Sequence, residues 1–487
     1  MKDYLFCLSF IFLAASSSQA AQEPKPIALH PENPHYFLWR DKPTILITSG
    51  EHYGALLNLD FNYIPYFDEL QSKELNHTRI FSGTYREIPS SFGVTDNPLA
   101  PEPNRYLSPW ARSEQPGYFD GGHKFDLTQW DSAYFNRLID LMRSAQERDI
   151  VVELTLFCVM YREERWKACP MNAANNVNRT GDCPRDEIFT LKHPDLLEVQ
   201  LAFVKKVIRE LRDFDNLYYE VCNEPYQRPT EMAWQHRIVE IIVETEKAFP
   251  NKHLISLNVA NGQKKVENPH PAVSIFNFHY CVPPDTVELN YGLNKVLGEN
   301  ETGFRGKEDV LYRSEAWDFL IGGGALYNNL DYSFTPKYPN GVYLDYKSPG
   351  GGSPALREQL SILKAFLYGF DFVRMKPDNS IIKQISHPLT ARALVEKGMA
   401  YAIYLHVPIP KKPKKLEQYL RSDIQANLVL GLPHGVYRAK WVDTKTGKAG
   451  KEDAFRHNGG NRRFTSPDFD NDIALQVKRQ ERLGQYR

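Results

Sequence analysis

Residues 217–225 read Leu-Tyr-Tyr-Glu-Val-Cys-Asn-Glu-Pro, and residues 295–303 read Lys-Val-Leu-Gly-Glu-Asn-Glu-Thr-Gly. Each stretch is a short, largely apolar run that carries a carboxylate near its end, Glu224 in the first and Glu301 in the second. Short apolar runs bounded by Pro or Gly are typical of buried strands. Both stretches therefore predict strands of a buried parallel sheet, each with an acidic side chain at its carboxyl end.

Six further runs of the same kind occur along the chain, and amphipathic helix patterns separate most of them. The eight predicted strands cover residues 44–48, 78–82, 150–157, 217–222, 254–258, 273–280, 295–301 and 325–333. The predicted helices cover residues 63–74, 132–148, 194–212, 230–248, 308–320 and 354–368. Because strands that alternate with helices form parallel sheets, eight of them predict an α/β fold of the (β/α)8, or TIM barrel, type.

The two ends of the chain have a different character from this repeating region. Residues 27–39 predict an opening hairpin, whereas residues beyond about 378 form short strands separated by turn signals. The predicted C-terminal strands cover residues 400–406, 427–432, 437–442 and 472–477. Such a pattern is typical of a β-sandwich. We therefore predict a barrel domain with its N-terminal hairpin at residues 21–385 and a small all-β sandwich domain at residues 386–487.

The first twenty residues have the features of a signal peptide. Lys2 precedes an apolar run over residues 4–15, and Ser18-Gln19-Ala20 is a small-residue cleavage pattern. The apolar run is shorter than the about 20 residues that a membrane-spanning helix needs. We expect a secreted or periplasmic protein with no membrane segment after signal removal.

Charge excludes one class of partner. The chain has 59 Lys and Arg against 60 Asp and Glu, which gives a formal net charge of -1. Since nucleic-acid-binding proteins present a basic stripe, nucleic acid is not an expected partner. The basic cluster at residues 411–415 is interpreted as a solvated loop.

The cysteines fit an exported protein without many disulfides. Cys7 leaves with the signal, and a disulfide between Cys169 and Cys183 would close the polar stretch between them in an oxidising compartment. Cys158 and Cys222 lie inside apolar strands and are predicted to be buried thiols.

The carboxylates at the strand ends point to a reaction. Catalytic side chains of barrels project from the carboxyl ends of the strands, and strands four and seven of a closed barrel face each other across the mouth. Cleavage of a glycosidic bond needs a proton for the departing oxygen and an anion against the developing positive charge. Glu224 and Glu301 can supply both.

Three motifs in these positions resemble those of the clan A glycoside hydrolases, which include cellulase-like and mannanase-like enzymes. They are Asn223-Glu224-Pro225, the Glu-x-Gly of residues 301–303, and the Asn-x-x-Arg of residues 76–79. The end of the chain, residues 437–472, is similar to the β-sandwich that some of these enzymes append. The resemblance covers most of the mature chain.

The resemblance implies a retaining glycoside hydrolase that acts on a carbohydrate substrate. Glu224 would be the acid/base and Glu301 the nucleophile. Arg79 would lie beneath the nucleophile, Asn223 would bind the sugar hydroxyl next to the anomeric carbon, Tyr280 would hydrogen-bond the nucleophile, and His279 would line the pocket. No cofactor and no metal is expected, since no His-x-His follows the first strand.

Electrostatics assign the two roles. Arg79 would keep Glu301 ionised, and the negative charge of Glu301 would make Glu224 the more easily protonated partner. Glu299 stays an alternative nucleophile, because an alternating strand would point Glu299 and Glu301 to the same side. His52 and Tyr327 are further candidate substrate contacts.

A barrel that binds carbohydrate without cleaving it is the alternative interpretation. Such a protein would be expected to lack one carboxylate or the arginine, and this sequence has all three. The glycan, its linkage, internal or terminal cleavage and the oligomeric state stay open at this point.

Overall fold

The computed structural model describes residues 25–480, so the predicted signal peptide lies outside the described residues. Its strands are β1 (Ala28–Leu29), β2 (Phe37–Trp39), β3 (Lys42–Thr44), β4 (Leu46–Gly50), β5 (His77–Phe81), β6 (Trp110–Pro116), β7 (His123–Trp130), β8 (Val151–Cys158), β9 (Leu217–Asn223), β10 (Leu254–Asn261), β11 (Ile275–His279), β12 (Val296–Glu301), β13 (Leu326–Leu330), β14 (Lys376–Pro377), β15 (Ile382–Ile385), β16 (Thr390–Glu396), β17 (Ala400–His406), β18 (Asn427–Asp443), β19 (Ala449–Thr465) and β20 (Asp472–Arg479). Its α-helices are α1 (Tyr63–Ser72), α2 (Ser132–Gln146), α3 (Glu163–Ala168), α4 (Pro194–Leu211), α5 (Met232–Glu246), α6 (Asp285–Asn290), α7 (Asp309–Ile321) and α8 (Pro354–Tyr368).

Eight parallel strands form the predicted barrel. Their order in the sheet is β4-β13-β12-β11-β10-β9-β8-β5, which runs through the chain in sequence once the sheet closes between β4 and β5. The side-chain amide of Asn76 joins these two end strands, because it accepts from the backbone N–H of Ile47 and donates to the carbonyl of Ile45, each over 3.0 Å. The fold prediction is confirmed, and the strand ends meet at one mouth.

The six predicted helices are present, and the start of the last one shows why. Ser353 accepts the backbone N–H of Leu356 over 2.9 Å, and Pro354 occupies the first helical position. Between β10 and β11 the chain runs as a loop, and between β11 and β12 it forms only the short α6. The barrel wall is therefore thinner on this side.

A β-bulge in β12 separates Glu299 from Glu301. Phe278 pairs with Glu299, but the next residue, His279, pairs with Glu301, so Asn300 is the extra residue. The Asn300 amide reaches carboxylates inside the barrel. Glu299 instead lies near Glu315 of α7 and accepts the backbone N–H of Cys281, just after β11. The prediction that Glu299 and Glu301 point to the same side is wrong, because the bulge breaks the alternation.

The C-terminal region is the predicted β-sandwich. Its antiparallel sheet has the order β14-β16-β17-β20-β18-β15, with β19 paired to β18, and it encloses an apolar core of its own. In the ladder of the long strands β18 and β19, Leu432 pairs with Gly460 and His434 with Asn458, and Gly459 and Gly460 have left-handed φ angles of 94° and 92°. Two predicted strands thus belong to the single strand β18. The domain boundary at residue 385 stays a prediction.

Helix α7 carries the contact between barrel and sandwich. Trp317 stacks on Tyr404 with ring centroids 5.4 Å apart, and Arg313 donates to Asp472 over distances down to 2.6 Å. The sandwich therefore packs on the helix that follows the strand of Glu301. Among the described residues, the structure contains no helix with the length and apolar character to cross a membrane.

The cysteines differ from expectation at one pair. Cys169 and Cys183 are both free thiols, so the proposed disulfide is wrong for the described structure. The loop is held instead by the side chain of Asn176, which donates to the carbonyls of Pro170, Asn172 and Thr180. Cys158 and Cys222 are buried thiols, as predicted.

Candidate active site

A pocket with a cavity volume of about 60 Å³ lies at the carboxyl ends of the barrel strands. Its lining consists of His52, Tyr53, Phe81, Tyr85, Glu87, Phe92, Leu99, Tyr161, Asn223, Glu224, Tyr280, Glu301, Phe304 and Leu330. Carboxylates and aromatic rings from nearly every strand end therefore face one space.

Glu301 lies in this pocket among three hydrogen-bond donors. Tyr280 donates its hydroxyl to Oε1 over 2.8 Å, while Arg79 Nη1 and the Tyr53 hydroxyl donate to Oε2 over 3.0 and 3.2 Å. Donors to both oxygens fix the orientation of the Glu301 carboxyl group in the pocket.

Arg79 lies beneath the two strand ends and is fully buried. Its Nε donates to Glu220 over 2.9 Å and its Nη2 to Asn223 Oδ1 over 2.6 Å, in addition to the bond to Glu301. Burial acts to lower the pKa of Arg79, but the surrounding carboxylates raise it well above its ordinary value. The guanidinium is a permanent positive charge in the pocket floor.

Glu224 occupies the opposite side. Tyr161 donates its hydroxyl to Oε2 over 2.7 Å, and Nδ1 of His279 lies 3.2 Å from Oε1. The backbone of Glu224 has a left-handed φ of 47°, and its N–H donates to Asn258 Oδ1 over 2.9 Å. This bond holds the residue in a conformation that side chains rarely adopt.

Opposing effects act on the charge of Glu224. Burial acts to raise its pKa, but the hydrogen bonds and charge of His279 and the hydroxyl of Tyr161 outweigh burial, so the pKa is lowered. The donors aimed at Glu224 therefore stabilise its carboxylate in the free pocket. Which of the two carboxyl groups is the more easily protonated stays a prediction.

The two carboxyl groups are close enough to act on one bond. An oxygen of Glu224, an oxygen of Glu301 and a ring nitrogen of His279 all lie within 4.8 Å of one another. These three side chains could in principle hold a cation. The Arg79 guanidinium, 3.0 Å from Glu301, would repel one, so the arrangement fits hydrogen bonding better than metal binding.

The remaining predicted residues divide into two groups. His279 and Tyr280 contact the carboxylates, and Asn223 donates to the Tyr161 hydroxyl over 2.8 Å. His52 lines the pocket with its Nε2 3.3 Å from Glu87. Burial acts to lower the pKa of His52, but the charge of Glu87 raises it.

Tyr327 does not line the pocket. It is fully buried, and its hydroxyl donates to the carbonyl of Tyr312 on α7 over 2.9 Å. The prediction of a substrate contact at Tyr327 is wrong, because its side chain lies on the helix side of β13.

Several pocket residues were not predicted as part of the site. They are Tyr53, Tyr161, Tyr226, Glu87, Phe92, Asn258 and Phe304. Tyr53 and Tyr161 follow the first and third barrel strands within a few residues, so position along the chain was an available signal. Phe92 comes from a long segment without periodicity, and nothing in that segment predicted that it would line the pocket.

Comparison with solved structures identifies the architecture. A protein described as a glycoside hydrolase superposes with a TM-score of 0.62 at 13% identity, covering 94% of this chain and 98% of the other. A glycoside hydrolase family 5 protein from Bacteroides vulgatus superposes with a TM-score of 0.61 at 12% identity, covering 95% of each chain. The chain has a glycoside hydrolase fold. No protein-family model matches the sequence, and no curated protein matches it.

Proposed function

We propose that this protein is a retaining glycoside hydrolase that cleaves a poly- or oligosaccharide, with Glu224 as acid/base and Glu301 as nucleophile. The observation that carries the proposal is the approach of their carboxyl oxygens to within 4.8 Å above the buried Arg79. Carboxyl groups of retaining enzymes stand about 5 Å apart, whereas inverting enzymes need about 6.5–9.5 Å to admit a water molecule. The glycoside hydrolase fold supports the same reaction class.

In the first step the proton of the Glu224 carboxyl moves to the glycosidic oxygen. The bond from the anomeric carbon to that oxygen breaks, its electron pair goes to the leaving group, and a Glu301 oxygen bonds to the carbon. In the second step Glu224 takes a proton from water as the water oxygen attacks the same carbon. The ester bond breaks, and its electron pair returns to Glu301.

The neighbours of each carboxylate suit its proposed role. Arg79, Tyr280 and Tyr53 stabilise Glu301 as an anion both before attack and after its release. Tyr161 and His279 orient Glu224. Export is part of the proposal, and it rests on the signal-like first twenty residues.

The test is hydrolysis of a broad glycan library by the wild type, Glu224→Ala and Glu301→Ala. We expect both variants to lose activity on every glycan that the wild type cleaves. Azide should restore cleavage by Glu301→Ala and give a glycosyl azide of inverted configuration, because azide replaces the missing nucleophile.

Glu299→Gln is the matched control, since Glu299 lies on the same strand as Glu301 but, because of the bulge, its side chain points away from the pocket. Undiminished turnover by either alanine variant would reject the assignment. Rescue of a Glu299 variant in place of Glu301→Ala would move the nucleophile. Glycan binding without hydrolysis by the wild type would indicate the carbohydrate-binding alternative.

A further inference from the structure

Four aromatic rings form an arch over the two carboxylates. Phe92 meets Phe304 edge to face with centroids 5.8 Å apart, and it meets Tyr161 in the same way at 5.8 Å. Phe304 meets Tyr280 edge to face at 6.1 Å. Because Tyr161 donates to Glu224 and Tyr280 to Glu301, the aromatic arch is anchored on both groups.

The aromatic arch divides the barrel mouth. Tyr161 follows the third barrel strand and Phe304 follows the seventh, so a line between them crosses the centre of the ring of strands. On one side are the ends of strands eight, one and two, with Leu330, His52 and Glu87. The other side has the ends of strands four to six, where Glu224 and Tyr226 lie.

Phe92 is a partition one side chain thick. It lines the catalytic pocket and also an outer depression of about 360 Å³ bounded by Ser90, Arg162 and Arg165. Its outer face is in solvent, since 40% of the residue is exposed. Removal of this one ring would join the two spaces.

The arch is fixed in place by its supports. Phe92 and Phe304 have left-handed φ angles of 53° and 55°, a conformation that such residues keep only where their surroundings hold it. Arg165 lies 5.5 Å from the Phe92 ring and donates to the Ser91 hydroxyl. Arg305 ties the Phe304 segment to the sandwich through the carbonyl of Lys411, over 3.0 Å. Both rings are therefore held where they close the pocket.

The half enclosed behind the arch offers polar groups to a ligand. His52 is buried, its Nε2 lies 3.3 Å from Glu87, and its Nδ1 has no hydrogen-bond partner among the described residues. A buried ring nitrogen without a partner is costly unless a bound group satisfies it. A hydroxyl-rich sugar in the enclosed half could supply that group.

We propose that the arch restricts the enzyme to chain ends, so that the enclosed half holds a single terminal sugar and the rest of the substrate leaves past Glu224 and Tyr226. This inference rests on the proposed function. The acid/base must contact the oxygen of the leaving group, which places the leaving group on the Glu224 side of the arch. The sugar attacked by Glu301 then lies behind the arch, where Phe92 closes the pocket toward the outer depression. The buried His52, Glu87 and Leu99 close the far end, so the chain cannot extend past that sugar.

The experiment compares soluble oligosaccharides with dyed, cross-linked polysaccharides of the same composition, which release dye only on internal cleavage. We expect the wild type to release monosaccharide from the oligosaccharides and no dye from the polymer. Dye release by the wild type would overturn the chain-end inference alone. Failure to hydrolyse any glycan in either form would overturn the proposed function together with it.

Phe92→Ala tests the partition itself. We expect its products to lengthen beyond a monosaccharide, because the pocket then opens into the outer depression. Phe119→Ala is the matched control, since Phe119 is similarly exposed, at 45%, and lies outside the pocket. An unchanged monosaccharide product from a folded Phe92→Ala, with folding checked by its thermal melting curve, would show that the ring does not limit the substrate.

Discussion

The side-chain amide of Asn258 donates to Nε2 of His279 over 2.7 Å. The orientation of this amide is fixed, because its oxygen accepts the backbone N–H of Glu224. Nε2 must therefore be the accepting nitrogen, and Nδ1 carries the hydrogen that points at Glu224 Oε1, 3.2 Å away, and at Glu301 Oε1, 3.6 Å away. One N–H thus faces both carboxylates.

This relationship predicts that Asn258→Asp impairs catalysis. A carboxylate facing Nε2 would draw the hydrogen to that nitrogen, and the donor toward Glu224 would be lost. Loss of a hydrogen bond to a charged group costs about 1.5–3 kcal/mol, which corresponds to a fall in kcat/KM of roughly 10–100-fold. Nitrogen NMR of labelled histidine would check the tautomer independently of activity.

Asn261→Ala is the control for that variant. Asn261 is the strand neighbour of His279, but its side chain accepts from the Tyr226 hydroxyl over 2.6 Å and, among the described residues, makes no hydrogen bond to the His279 ring, so its removal should leave the tautomer unchanged. A pyridine-like Nε2 signal for His279 in Asn258→Asp would contradict the explanation.

Tyr161→Phe should shift the pH dependence. The Tyr161 hydroxyl is one of the groups that lower the pKa of Glu224, and the first step needs that group protonated. Removal of the hydroxyl raises the pKa of Glu224 and moves the basic limb of kcat/KM to higher pH. One hydrogen bond to a charge corresponds to a shift of about one pH unit. A basic limb that stays in place, or moves to lower pH, would show that Tyr161 does not stabilise the carboxylate.

The sequence predicted the barrel and the two carboxylates because both depend on local pattern. Apolar runs alternating with helices were enough to find all eight strands, and motifs at the ends of strands four and seven singled out Glu224 and Glu301. Features that depend on which residues lie close together in the folded chain were missed or predicted wrongly. The bulge at Asn300 is not visible in an alternating pattern, and the separation of Cys169 from Cys183 cannot be read from their spacing.

The aromatic arch illustrates the same limit. Phe92 and Phe304 lie more than two hundred residues apart, and both have a left-handed backbone conformation. The residues next to them in the sequence do not predict this conformation. Gly459 and Gly460 show it as well. A glycine pair is typical of a turn, but both glycines lie inside the long strand β19, which pairs with β18 on either side of them.

Glu299→Gln should preserve activity and change the pH dependence of stability. Burial raises the pKa of Glu299 well above its ordinary value, with a further contribution from the neighbouring Glu315, so the folded protein binds this proton more tightly than the unfolded chain does. Between the unfolded and folded pKa values the folded state binds the extra proton, and wild-type stability therefore falls as pH rises. Glutamine cannot ionise.

The variant should accordingly gain stability over the wild type as pH increases, by up to about 1.4 kcal/mol per pH unit. Urea unfolding across a pH series measures this difference. A difference that is constant with pH would indicate that Glu299 is ionised in the folded protein.

Asp472→Asn should destabilise the whole chain, because Asp472 pairs with Arg313 where the sandwich packs on α7. Asp472 is buried, and it also accepts from Tyr404 over 3.1 Å and Thr444 over 2.7 Å. Burial acts to raise its pKa, but Arg313 outweighs burial and lowers it, so the pair contributes stability above the unfolded pKa and loses it as pH falls through the folded value. Loss of one partner leaves a buried charge uncompensated and costs about 3–5 kcal/mol.

Urea unfolding at neutral pH should show this loss, whereas Asp149→Asn, at a solvent-exposed pair with Arg40, should cost no more than about 1 kcal/mol. Equal losses in the two variants would mean that the ion pair does not hold the sandwich against the barrel.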